Sequence, residues 1–159
     1  MPATIPVNAS FEYISGLVCD GIPHLRELGL AVTEVAPGHL TLRLDYQEIL
    51  IGHPETGVLH GGAITVLLDT VNGLAVLTAL PEPAPMATLD LRIDYLKPAT
   101  PGRAVLAQAH CFKVTRNIAF TRGFAYHEED GEPIAHCTGS FMLATAGQAV
   151  PVAPSGAAS

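Results

Sequence analysis

The residues best placed to do chemistry lie in one run: His60, Gly61 and Gly62, followed by Asp69. Two adjacent glycines at the start of an apolar segment leave their backbone N–H groups open to a ligand, because neither carries a side chain. A helix start adds unsatisfied donors and a partial positive charge, so an oxyanion can be held there. Asp69 is the single ionisable side chain between Gly61 and Leu80. A carboxylate in such surroundings can serve as general base on a water or as direct nucleophile. Eight residues separate it from Gly61, which is about 12 Å along a helix axis. One carbonyl cannot be reached from both points of the same chain. If both act, a second copy must bring its helix start beside this Asp69. The structural alternative is a hydrogen-bonded buried carboxylate and a glycine pair that permits close packing.

These groups need a helix, and the helix needs a support. From Val58 to Leu77 the chain is almost wholly apolar, and after Gly62 the apolar residues recur on all sides. Such a helix is buried around its circumference and requires a sheet wrapped about it. It should run to about Leu80, where Pro81, Pro83 and Pro85 end it. Its length raises the question of a membrane span. Asp69 and Asn72 in its middle argue against one.

The flanking segments supply strands. Ser10 suits the N-cap of a short helix carrying Tyr13, Ile14, Leu17 and Val18, closed by Gly21. Ile22 to Leu28 gives an amphipathic turn. Leu30 to Val35 and His39 to Tyr46 should form a hairpin about Pro37-Gly38. Residues 47–57 read as a loop. Met86 to Leu96 alternates Leu89, Leu91, Ile93 and Tyr95 with Thr88, Asp90, Arg92 and Asp94, a period of two. Arg103 to Thr115, Ile118 to His127 and Pro133 to Ala144 are three further strands, the last two joined at Asp130-Gly131. The expected fold is α+β, one long central helix cradled by a curved antiparallel sheet. Residues 1–9 read as a loose N-terminus, 10–145 as a single domain, and 146–159 as a disordered tail.

The His60-Gly61-Gly62 motif, Asp69 at this spacing, and the strand from Thr88 to Ala99 together resemble the hotdog-fold acyl-CoA thioesterases, in their PaaI-like (phenylacetate-degradation type) branch. The resemblance runs from about Leu28 to Leu143. It implies the hotdog fold, subunits joined as dimers and often as dimers of dimers, and hydrolysis of an acyl-CoA thioester. It implies that the Gly61 amide binds the developing oxyanion while Asp69 of the partner acts as base or nucleophile. Thr88 matches the family's small hydroxyl residue beside the acid. The family commonly has an Asn in the loop before the helix. None is present here, and His53 occupies the nearest matching position. An acyl pocket lined by two chains would draw on apolar residues such as Leu68, Val71 and Leu74.

The whole chain narrows the partners. A net charge of −7 disfavours nucleic acid. From Arg92 to Arg122, however, six basic side chains stand against the single acid Asp94. That distribution fits a small polyanion such as the phosphates of coenzyme A. Arg92, Lys97 and Arg116 are the candidates there, with His60 and Gly62 at the helix start. No signal peptide is evident. Cys19, Cys111 and Cys137 are odd in number and suit free thiols in a reducing cytoplasm. The seven histidines show no ligand spacing, so no metal is expected, and no Gly-x-Ser-x-Gly elbow is present. Coenzyme A enters as part of the substrate, with no separate cofactor. The rival readings are a non-catalytic acyl-CoA binding protein and, less favoured, a hotdog enoyl-CoA hydratase or dehydratase.

Overall fold

A computed structural model describes residues 7–129 and 131–144. Two short helices, α1 (Phe11–Gly16) and α2 (Pro23–Leu28), flank a π-helical turn at Leu17–Gly21. Ser10 caps α1 by accepting from the Tyr13 amide, and Gly29 closes α2 at φ 69. Strands β1 (Leu30–Ala36) and β2 (His39–Leu44) then form the expected hairpin. Two very short strands follow, β3 (Ile51–His53) and β4 (Val58–Leu59). After the central helix α3 (Gly61–Ala79) come β5 (Met86–Tyr95), β6 (Val105–Val114), β7 (Ile118–Tyr126) and β8 (Pro133–Leu143).

Six strands make one antiparallel sheet in the order β1-β2-β6-β7-β8-β5. Inward side chains of its central strands, such as Leu42, Ala107, Ala125 and Ala135, are fully buried, as are Leu67, Leu68, Val71 and Val76 of α3 in the same core. The small residues on β6, β7 and β8 let the helix lie close, which is why Ala-rich strands serve this core. At Gly123 an added Cβ would stand 2.6 Å from the Gln108 carbonyl oxygen, so the strand admits no side chain there. By length and hydropathy α3 could cross a membrane, but its contacts make it the core helix of this domain.

Two segments depart from the expected pattern. In place of a loop over residues 47–57, a turn at Glu48–Leu50 leads into a small antiparallel hairpin of β3 with β4. Gly57, at φ 74, makes that hairpin possible. Within the expected loose N-terminus, residues 7–9 form a 3₁₀ turn. Asn8 there is buried and donates from Nδ2 to the carbonyls of Leu77 and Leu80, at 2.6 and 2.9 Å. It gives the Leu80 carbonyl a donor and adds a second to the Leu77 carbonyl, which also accepts from the Leu80 amide at 3.3 Å. Residues 1–6 and the expected tail at 146–159 lie outside the described residues.

β5 matters most for the site. It is one edge of the sheet, and Leu89, Tyr95 and the following Leu96 are about half exposed along it. A register shift between Thr88 and Asp90 places a bulge at Leu89. Strict alternation would put Leu89 inward and Thr88 outward. The bulge reverses both, so that Thr88 faces α3 in register with the buried Phe141.

Candidate active site

Because β5 runs antiparallel to α3, its two ends address different parts of the helix. Near the start of β5, Thr88 Oγ1 donates to Asp69 Oδ1 at 3.0 Å. At its end, the Tyr95 hydroxyl donates to the Gly61 carbonyl at 2.8 Å and lies 2.8 Å from Thr65 Oγ1. Thr65 Oγ1 is also 3.1 Å from the Gly61 carbonyl. The first turn of α3 is therefore clamped from the edge strand.

The helix start has a specific donor pattern. His60 is its N-cap, and its Nδ1 accepts from the Gly62 amide at 2.9 Å. The imidazole hydrogen consequently resides on Nε2. With the Gly62 N–H engaged, the Gly61 N–H is left without a hydrogen-bond partner among the described residues. Gly52 seats the β3–β4 hairpin against this terminus. A Cβ there would stand 2.7 Å from His60 Cα.

Asp69 and Thr88 line an open cleft of about 670 Å³ with predominantly apolar walls. Leu17, Ile22 and Leu25 close it from the N-terminal segment, Leu74 and Leu77 from α3, and Met86 and Phe141 from the sheet. Of the three apolar pocket candidates, Leu74 is in place. Leu68 and Val71 instead sit fully buried in the core. A smaller cleft of about 300 Å³ adjoins His60 and Gly62 and shares His24 and Val66 with the first.

The remaining candidates are not gathered at this point. His53 is exposed on β3 and its Nδ1 lies 3.2 Å from Thr56 Oγ1 in its own turn. Arg92 faces outward from β5, in register with Thr138 and paired with Asp94 at 3.1 Å. Lys97 follows β5 and meets Glu132 at 3.1 Å. Arg116 lies in the β6–β7 turn, at the opposite end of the sheet from Arg103. The basic segment is thus spread along a ten-residue strand, roughly 30 Å, and makes no single patch within one chain.

Thr65 and Tyr95 escape a reading of the sequence. The signal for Thr65 is its position midway between Gly61 and Asp69, one helical turn from each. Near the acid, burial raises the Cys137 thiol, with the Asp69 charge adding to it against a hydrogen bond from Asn72. Burial likewise raises Cys111. Both thiols are held protonated.

Comparison with known proteins decides the family. A profile described as the thioesterase superfamily matches residues 56–134. Human acyl-coenzyme A thioesterase 13 is 30% identical over 112 residues, covering 69% of this chain and 77% of that protein. The chain belongs to the thioesterase superfamily. A solved structure from Pseudomonas aeruginosa is 47% identical, with TM-score 0.72, covering 81% of this chain and 96% of its own. The phenylacetic acid degradation protein PaaI of Thermus thermophilus, solved as a point mutant, is 29% identical at TM-score 0.67. That match covers 76% of this chain and 98% of the other. This thioesterase-superfamily chain is accordingly a thioester hydrolase of the PaaI-like hotdog type, with an acid, a hydroxyl and a helix start on one face of α3.

Proposed function

We propose that the protein hydrolyses an aryl-acyl or medium-chain acyl-CoA to the free acid and CoA at a site completed across a dimer. The observation that carries this is the placement of two half-sites along a free edge strand. Thr88 and Asp69 lie at the start of β5, Tyr95 and Gly61 at its end. Pairing β5 with its own copy about a two-fold axis would be antiparallel. The start of one strand then lies beside the end of the other, and Asp69 of one protomer approaches Gly61 of its partner. Exposed Leu89 and Leu96 on that edge support such burial.

In this reading the Gly61 amide holds the thioester carbonyl oxygen and stabilises the oxyanion, a contribution on the order of 3 kcal/mol. Asp69 activates water or attacks directly, and the Thr88 hydroxyl fixes its carboxylate and helps seat the water. As base, Asp69 passes the proton of the attacking water to the departing coenzyme A thiolate. As nucleophile, it forms a mixed anhydride as the thiolate leaves. The thiolate takes a proton from water, whose hydroxide then cleaves the anhydride to the free acid and restores the carboxylate. The same two-fold pairing would bring Arg116 of one protomer towards the Lys97 end of its partner, giving the coenzyme phosphates a cationic flank that one chain lacks. No metal or further cofactor is invoked. A second pairing into a dimer of dimers fits the sheet face opposite α3, where Phe112, Phe120 and Met142 are exposed. Free thiols at Cys19, Cys111 and Cys137 support a reducing cytoplasm.

Steady release of free thiol from acyl-CoA, followed with a thiol reagent, tests the assignment. Loss of enoyl absorbance without thiol would indicate a hydratase, and binding with neither change a non-catalytic carrier.

A further inference from the structure

α3 floors the cleft beside Asp69 with two stripes, Val66, Thr70 and Leu74 running beside Thr65, Asp69, Gly73 and Leu77, the latter at steps of four residues. Of these last four, three carry side chains and one does not. Glycine inside a helix costs about 1 kcal/mol relative to alanine, so its presence needs a reason. Close packing does not provide it, since a Cβ at Gly73 would meet Phe141 Cε1 at an ordinary 3.5 Å. What the missing side chain leaves is open space midway along the cleft.

We propose that Gly73 sets the length of acyl chain the enzyme accepts, and that the cleft takes straight saturated chains. This rests on the placement of the reacting carbonyl at Asp69. From Asp69 to Leu77 is about 12 Å along the helix axis. At ordinary carbon–carbon bond lengths and angles a straight chain of about ten carbons covers that distance. The walls offer such a chain Leu17, Ile22, Leu25, Leu74 and Met86 throughout, and an aryl group would fill only the part nearest Asp69. A larger side chain at residue 73 would divide the cleft and leave only its Asp69 end.

The test uses a panel of straight acyl-CoAs from acetyl to palmitoyl, with phenylacetyl-CoA beside them. It compares the full-length wild type with Gly73→Ala and Gly73→Leu. In the wild type, affinity should rise roughly fourfold per methylene up to about ten carbons and then level. Phenylacetyl-CoA should rank below decanoyl-CoA. Gly73→Leu should lower the decanoyl-to-acetyl ratio of kcat/KM by at least about tenfold, with Gly73→Ala in between. Unchanged ratios in both variants would overturn the inference, as would a wild type indifferent to chain length. Calorimetric binding of decanoyl-CoA and acetyl-CoA to the same proteins separates the two levels of the account. Binding whose chain-length dependence shifts at residue 73, with no hydrolysis, would sink the proposed reaction and support the cleft. Hydrolysis with an unmoved profile would do the reverse.

Discussion

Asp69 receives a hydrogen bond from Thr88 and borders an apolar cleft, so its carboxylate is oriented by one hydroxyl. Asp69→Asn should preserve the fold and lower kcat by about 10²–10⁴-fold, read by thiol release and by an unchanged melting temperature. Thr88→Val should reduce kcat less and leave KM nearly intact, because the change affects the acid's geometry more than ground-state binding. The acid and the glycine pair are legible in the sequence because one carboxylate in an apolar run, and two residues without side chains, are visible in composition alone. Thr88 is legible only by resemblance. Its residue type says nothing of the bulge at Leu89 that turns it inward. The Tyr95 hydroxyl at Gly61 depends on how an edge strand lies across a helix, and no local pattern encodes that.

At the level of elements, α3 is held at both termini by residues distant in sequence. Asn8→Ala removes two hydrogen bonds from the C-terminal carbonyls of α3 and should cost about 1–3 kcal/mol, measured by denaturant unfolding. Gly52→Ala presses on His60 and should disturb the helix start, lowering kcat more than stability. Burial raises Cys111 and Cys137, which gives stability a pH dependence of definite sign. The unfolded chain ionises these thiols at lower pH than the folded one does. Their contribution is complete below the ordinary thiol range and is lost as pH rises through the raised folded range. Thermal melts should therefore fall above about pH 9, and less steeply in a Cys137→Ala variant. The sheet strands and α3 are readable from periodicity and punctuation. The β3–β4 hairpin is not, since two- and three-residue strands carry too little pattern to register.

The molecule as a whole leaves the β5 edge of its sheet exposed and places the two parts of the candidate site at opposite ends of that strand. Six basic residues close in sequence suggest one anion site, but strand geometry sends them to opposite ends. Only assembly can reunite such groups, and only assembly can bring Asp69 to a Gly61 amide. The direct test mixes two inactive variants. Asp69→Asn removes the acid. Gly61→Pro removes the amide hydrogen at the first helical position, where proline is tolerated, and His60 already has the φ −62, ψ 134 that a following proline requires. Each variant alone should be inactive. Unfolded and refolded together, half of the dimers become mixed, and each mixed dimer carries one intact site of two. About a quarter of wild-type activity should return. A mixture that forms dimers and stays inactive would place acid and amide within one chain and contradict the account.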